Sequence, residues 1–205
     1  MQPFATEQEV FWAGDFGDEY TLRNRGQDVI ARNTALFARI LSRLPQVDSV
    51  VELGANIGMN LLALRRLLPH AKLAAVEINE SAARELGRIE GVEVTVGSLL
   101  SYTPPAPADL AVIKGVLIHI APERLPDAYA ALYRSSARYI CLAEYYNPSP
   151  VEVPYRGHGG RLFKRDFAGE LLDRYGDLEL VDYGFVWRRD VFAQDDLTWF
   201  LLKKR

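Results

Sequence analysis

From residue 49 onward, short apolar runs alternate with stretches in which apolar residues recur every three to four positions. Val50, Val51 and Leu53 bracket Glu52 in the first run, and further runs lie at 73–77, 92–96, 109–114 and 139–143. Helical spacing falls between them, at 57–68, 81–89 and 122–135, with Asn79 placed to cap the second helix and Pro122 to open the third. Apolar strands alternating with helices predict a parallel sheet covered on both faces. Upstream, Ile30, Phe37, Ile40, Leu41 and Leu44 mark one face of a helix that Pro45 ends. The tail breaks the pattern. A helix over 166–175 stops at Gly176, and runs at 178–187 and 197–203 follow without room for a helix between them, which predicts an antiparallel pair. The expected fold class is therefore α/β, a doubly wound, mostly parallel sheet with a C-terminal antiparallel hairpin.

Composition narrows this. The 205 residues, 49% of them hydrophobic, suffice for one core, so residues 1–205 read as a single domain. The segment 1–26 is set apart as an N-terminal lid or cap, because 10–24 is too aromatic for a disordered tail and too broken by glycine for one clean helix. A formal net charge of -3 leaves no global basic field, which argues against nucleic acid as a partner. The one cysteine, Cys141, lies in an apolar run and reads as a buried, inert thiol, and no metal site is expected. No run approaches the ~18 apolar residues of a membrane span, and 1–7 lacks the basic and apolar blocks of a leader, so the expectation is a cytoplasmic protein off the membrane. The partner is then a small molecule, and a homodimer is compatible with everything above.

The sharpest chemical signal is the turn that follows the first strand, Glu52-Leu53-Gly54-Ala55-Asn56-Ile57-Gly58. Ligands of open parallel sheets collect beyond the carboxyl ends of the strands, where strand order reverses. Gly54 lets the backbone approach a ligand, Gly58 lets a helix begin close by, and the free N–H groups there suit a carboxylate. Glu52 is placed for an ammonium group, directly or through water. Glu77, ending the second strand, can accept hydrogen bonds from both hydroxyls of a ribose. The glycines follow G-x-x-x-G instead of the G-x-G-x-x-G that seats a pyrophosphate, and a terminal hairpin belongs to the methyltransferase variant of the fold more than to the dehydrogenase one. The expected cofactor is S-adenosylmethionine. Asn56, Ser98 and Leu99 after the third strand, and Lys114 ending the fourth, complete the expected cofactor set, Ser98 standing where many such enzymes carry an aspartate for adenine. A tight turn without a ligand would leave Glu52 and Glu77 unexplained.

On the acceptor side, His119 offers a general base, with a histidine packed beside Leu117 and Ile120 as the alternative. The fifth strand ends in Glu144-Tyr145-Tyr146-Asn147, where aromatic faces can attract a sulfonium and an amide can orient an acceptor. Arg156, His158, Arg161 and Lys164 then form a cationic, mobile-looking stretch that suits an anionic small substrate or is simply solvated. Trp12 and Tyr20 of the lid are assigned to the substrate as well, and packing against the sheet edge would explain them equally well.

These strings carry a family resemblance. From 11–20 through 51–56 and 114–120 to Ala143-Glu144-Tyr145-Tyr146-Asn147-Pro148 and 154–167, the chain resembles the pseudaminic acid biosynthesis-associated methylases, a branch of the class I methyltransferases. The resemblance implies methyl donation from S-adenosylmethionine, with a nonulosonic sugar or its nucleotide as the acceptor. Relatives on this fold instead cyclise the cofactor's aminobutyryl arm to azetidine-2-carboxylate and leave methylthioadenosine, and aminocarboxypropyl transfer leaves the same by-product. A non-catalytic, cofactor-binding regulatory module is the third alternative.

Overall fold

The computed structural model describes residues 4–205; residues 1–3 of the expected lid segment lie outside the described residues. Three helices precede the sheet: α1 (Glu7–Ala13), α2 (Asp15–Arg23) and α3 (Gln27–Leu41). The alternating core follows as β1 (Ser49–Leu53), α4 (Met59–Leu67), β2 (Lys72–Glu77), α5 (Glu80–Leu86), β3 (Val92–Val96), β4 (Ala108–Lys114), α6 (Leu125–Ser135) and β5 (Ser136–Glu144). A short ribbon of β6 (Val151–Glu152) and β7 (Phe163–Lys164) leads to α7 (Phe167–Arg174) and the closing pair β8 (Leu178–Val186) and β9 (Leu197–Lys204).

Seven strands form one sheet in the order β3-β2-β1-β4-β5-β9-β8. The first five are parallel, while β9 runs antiparallel to both of its neighbours and is inserted between β5 and β8. Strand order reverses between β1 and β4, so their carboxyl ends splay apart to open a crevice there. Inward residues of alternate parity feed two cores. On one face Phe37, Ile40, Leu61 and Leu64 pack on Val50, Val112 and Trp199; on the other, Ala128, Leu132 and Leu171 pack on Val51, Ile113 and Ile140. Cys141 is fully enclosed, and burial pushes its thiol up to about 12, which leaves it inert as expected. No helix among the described residues is long and apolar enough to cross a membrane.

The N-terminal glycines break one helix into two instead of abolishing helix. Thr6 and Glu9 form a reciprocal capping box at the start of α1, and Gly14 ends it by donating its N–H to the Val10 carbonyl before α2 begins. Gly17 is the contact point that folds α2 back, since a Cβ there would stand 1.9 Å from the Trp12 carbonyl oxygen. The pair docks on Asn79, whose Oδ1 accepts from Ala82 N–H to cap α5 while its Nδ2 donates to Asp18 Oδ1 at 2.9 Å. The stretch expected to be a mobile loop is tied down by the β6–β7 pairing and by a Tyr155–His158 turn.

Candidate functional site

Where the sheet splits, a cavity of about 200 Å³ lies under α1 and α2. Its floor is the turn after β1. Gly54, Asn56 and Gly58 all take positive φ, at 78°, 50° and 81°, so the backbone N–H and C=O groups turn at every second residue. Asparagine is the side chain that tolerates this conformation best, and Asn56 steadies it by accepting the N–H of Ile57 at 2.6 Å. A Cβ on Gly54 would meet Val116 at 2.6 Å, and one on Gly58 would meet Leu86 and Ile89 at 2.6 and 2.5 Å. Gly58 is therefore required for close packing of α4 against the end of α5, a different duty from admitting a ligand.

Glu77 stands beside this turn and lines the cavity. Its Oε2 accepts the N–H of Asn56 at 2.6 Å and its Oε1 that of Asn79 at 2.8 Å. Each carboxylate oxygen keeps capacity for a second donor, so the group can still receive two hydroxyls. Burial raises its pKa, against which these backbone bonds act. Gly97 and Gly115 form further wall, and a Cβ on either would meet no protein atom within 4 Å.

Glu52 is placed differently from the sequence expectation. It is 0% exposed, lies behind the wall, and its Oε1 accepts from Asn60 Nδ2 at 2.5 Å, so no ligand ammonium reaches it directly. Asn60 faces the cavity in its stead, with its Oδ1 buried and unpaired. Lys114 also lines the cavity; burial pushes its pKa down, while Glu52, Glu144 and Asp195 favour its charge from beyond ion-pair distance. Burial pushes Glu52 up to about 8 and Glu144 up to about 7. Glu144 acts from the next strand: its Oε1 accepts the N–H groups of Val116 and Leu117, both at 3.1 Å, and so caps the short turn that carries His119.

His119 is both buried and on the cavity wall. Its Nδ1 lies 2.6 Å from the Arg161 carbonyl, an acceptor only, so Nδ1 carries the proton and Nε2 is the free acceptor. Burial pushes its pKa down to about 4, and its ring packs between Trp12 at 4.5 Å and Tyr155 at 4.9 Å. Trp12 and Tyr20 line the cavity with their ring centroids 5.2 Å apart, and the Trp12 Nε1–H is buried without a partner. At the opposite end Ser98 and Leu99 line the wall, and Ser98 donates its hydroxyl to Glu9, which α1 carries into the cavity. A carboxylate thus reaches Ser98 from the N-terminal helix.

Besides Glu52 and Gly58, seven expected residues are not brought to the cavity wall: Tyr145, Tyr146, Asn147, Arg156, His158, Arg161 and Lys164. Successive residues of a strand face opposite ways, so Tyr146 turns outward, 6.1 Å from Phe200, while Tyr145 stays half-buried beside Lys164. Asn147 spends its amide on the carbonyl of Ser149. The cationic loop is engaged with the protein itself. Arg161 lies over Phe11 and pairs with Glu7 at 3.3 Å, His158 packs on Phe11, Arg156 lies over Tyr155, and Lys164 lies over Tyr145. These cations pack on the lid and rim, and none reaches the cavity, so they form no anion pocket there. Glu9, Asn33, Asn60 and Asn79 are among the polar wall residues that the sequence reading did not assign to the site. Thr6-x-x-Glu9 was the available signal for the first, as a capping box ahead of an aromatic helix. No group of acidic, histidine or cysteine residues suited to a metal occurs among the described residues.

Compared by sequence, the chain matches no family model and no curated protein. Its fold has many solved counterparts. Magnesium protoporphyrin IX methyltransferase ChlM from Synechocystis PCC 6803, with bound S-adenosylhomocysteine, superimposes with a TM-score of 0.71 at 13% identity, over 97% of this chain and 100% of that one. The 1,6-didemethyltoxoflavin-N1-methyltransferase of Burkholderia thailandensis gives 0.70 at 14% identity, over 100% and 92%. A SAM-dependent methyltransferase of Leishmania major gives 0.70 at 19%, over 97% and 87%. The chain has the fold of the class I methyltransferases, with the inserted antiparallel strand and the crevice between β1 and β4.

Proposed function

We propose that this chain is an S-adenosylmethionine-dependent methyltransferase acting on a small metabolite. The observation that carries the proposal is the pairing of the left-handed 54–58 turn with Glu77 at the point where strand order reverses, in one cavity roofed by helices. The residues fit the cofactor: Glu77 has two acceptor positions free for ribose hydroxyls, Gly97 and Gly115 leave bare backbone, and Asn60 and Trp12 hold unpaired polar atoms. When bound, the cofactor supplies an electrophilic methyl group on a sulfonium.

The chain's own residues do the rest. The Trp12 and Tyr20 rings present π faces to a cation, a contact that contributes about 0.5–2 kcal/mol. Helices α1 and α2 act as the lid and exclude water. His119 is held neutral, with a pKa too low for efficient proton abstraction at neutral pH, so its Nε2 orients the acceptor by receiving a hydrogen bond. Positioning and desolvation then carry the transfer, which suits an acceptor amine or a hydroxyl of low pKa. The family resemblance makes a nonulosonic sugar or its nucleotide the first acceptor to supply, although the loop cations that would have met its anionic groups are engaged elsewhere.

Cofactor cyclisation is the second reading, favoured by the aromatic stack of Trp12, His119 and Tyr155, which walls off the acceptor side and leaves about 200 Å³. Mass spectrometry of the products separates the two. S-adenosylhomocysteine formed only when an acceptor is added supports methyl transfer. Methylthioadenosine formed without any acceptor supports cyclisation and overturns it.

A further inference from the structure

Tyr146, which turns away from the cavity, begins a ladder of rings that ends at the open edge of the sheet. Its ring lies 6.1 Å from Phe200 on β9, and Phe200 stacks on Tyr183 of β8 at 6.0 Å. Phe185 lies on the same face of β8, two residues further on. No strand pairs with the outer side of β8 among the described residues, so its outward N–H and C=O groups are an open template. Tyr183, Phe185 and Trp187 are 62%, 53% and 47% exposed, and the exposed Leu180 and Val181 precede them. An aromatic side chain carries about 150–250 Å², so these three rings alone present roughly 300 Å² of apolar surface per chain. Contiguous apolar patches of that order on a folded protein mark contact surfaces. None of these residues lines the cavity, so the stripe serves something other than the site described above.

The two edges of the sheet differ. β3, at the far end, is five residues long and carries Glu93, whereas β8 is nine residues long and mostly apolar. The register of β8 against β9 slips once, at Val181, which leaves 182–186 as a regular ladder centred on Gly184. Charge selects what lies against it. Glu179 and Asp182 occupy the first half of β8, while Arg188 and Arg189 follow its end, and Arg189 makes no ion pair among the described residues. A second copy of the strand, running antiparallel, sets the acidic end of each copy beside the basic end of the other; a parallel copy sets like charges together. An anionic lipid surface fits less well, because 187–196 holds two arginines against three aspartates and Arg188 is already paired with Asp196 at 2.5 Å.

We infer that β8 is the interface of a homodimer, in which two copies pair edge to edge and antiparallel about a two-fold axis at Gly184. The regular ladder is then used in full, and Tyr183 of each copy stands opposite Phe185 of the other, an aromatic cross-strand pair repeated on both sides of the axis. The stack on Phe200 holds Tyr183 in place beforehand, which lowers the cost of ordering it on association. The rings of both copies supply roughly 600 Å², a third to a half of the ~1,200–2,000 Å² that a stable interface buries, and the paired backbone and the exposed Leu180 and Val181 add to it.

The test is sedimentation velocity of the full chain over a concentration series. The wild type is expected to pass from 23.1 kDa to twice that mass at micromolar concentration, and a monomer throughout overturns the inference. Tyr183→Lys and Phe185→Lys each bring like charges together beside the axis, at positions exposed enough to accept them in the monomer. Each is expected to raise the dimer dissociation constant about tenfold or more, and a dimer of wild-type affinity in both variants overturns the interface. If the variants lose their thermal transition, hydrogen exchange of the wild type decides: amides of 182–186 must slow as concentration rises while those of β3 do not, and equal behaviour of the two edges overturns it. A wild type that stays monomeric and floats with phosphatidylglycerol vesicles assigns the stripe to a lipid surface and overturns it as well.

Discussion

Replacing Gly17 by alanine separates the closing of the N-terminal helices from the folding of the sheet. Gly17 is buried where α2 turns back on α1, and its φ is ordinary, so alanine brings no backbone strain. Helix propensity alone would favour the alanine by up to about 1 kcal/mol. The added Cβ, however, would sit 1.9 Å from the Trp12 carbonyl oxygen and 2.8 Å from Asn79 Nδ2. A backbone oxygen cannot rotate away, so the α1–α2 corner must open. Overpacking of this kind costs about 1–3 kcal/mol, and losing the Asn79–Asp18 hydrogen bond adds about 0.5–1.5 kcal/mol. The clash therefore wins, and the cost falls on docking of the lid, because the sheet makes none of these contacts. Affinity for S-adenosylhomocysteine is expected to fall roughly five- to hundredfold by calorimetry, with hydrogen exchange of residues 7–23 accelerated and the main thermal transition nearly unchanged. Wild-type affinity together with wild-type protection of that segment would refute the reasoning.

Glu144→Gln keeps an acceptor oxygen for the N–H groups of Val116 and Leu117 and removes a buried charge. Burial raises Glu144 to about 7, above its unfolded value, so its contribution is complete at acid pH and is lost as pH rises through 7. The variant's thermal midpoint should gain on the wild type as pH rises from about 4.5 to about 7, and a constant difference over that range contradicts this. For His119 the sign is opposite: burial depresses its pKa to about 4, so the stability it contributes is present above about pH 6.5 and is lost as pH falls towards 4. The rate profile should show no inflection from His119 between about pH 5 and 8, whereas His119→Asn, which preserves the bond to Arg161, should lower kcat. An inflection near 6.5 that vanishes in His119→Asn would show that the ring titrates as an ordinary base.

The order of strands and helices was legible because apolar runs and helical stripes are local signals, and the observed elements agree with them to within a few residues. The turn at 54–58 and Glu77 were legible because strand ends at a reversal of order are where ligands collect. The place of β9 between β5 and β8 was not, since pairing order is long-range information. The site diverged for the same reason. Ser98 meets Glu9 from 89 positions away, a contact that no local pattern encodes. The loop cations were countable in the sequence, but not the partners across from them, Glu7, Phe11, Tyr145 and Tyr155. Glu52 was correctly placed at a strand end, yet the pleat aims it behind the wall, where it reaches the cavity only through Asn60.

The most direct test of the account is titration of S-adenosylhomocysteine into the wild-type protein and into Glu77→Gln, followed by calorimetry. Glutamine exchanges one acceptor oxygen for a donor and cannot serve Asn56, Asn79 and two ribose hydroxyls together. The expected result is one-to-one binding by the wild type, weakened about tenfold or more in the variant. Absence of binding to the wild type, or equal affinity in both proteins, would contradict the claim that Glu77 and the 54–58 turn hold an adenosyl cofactor.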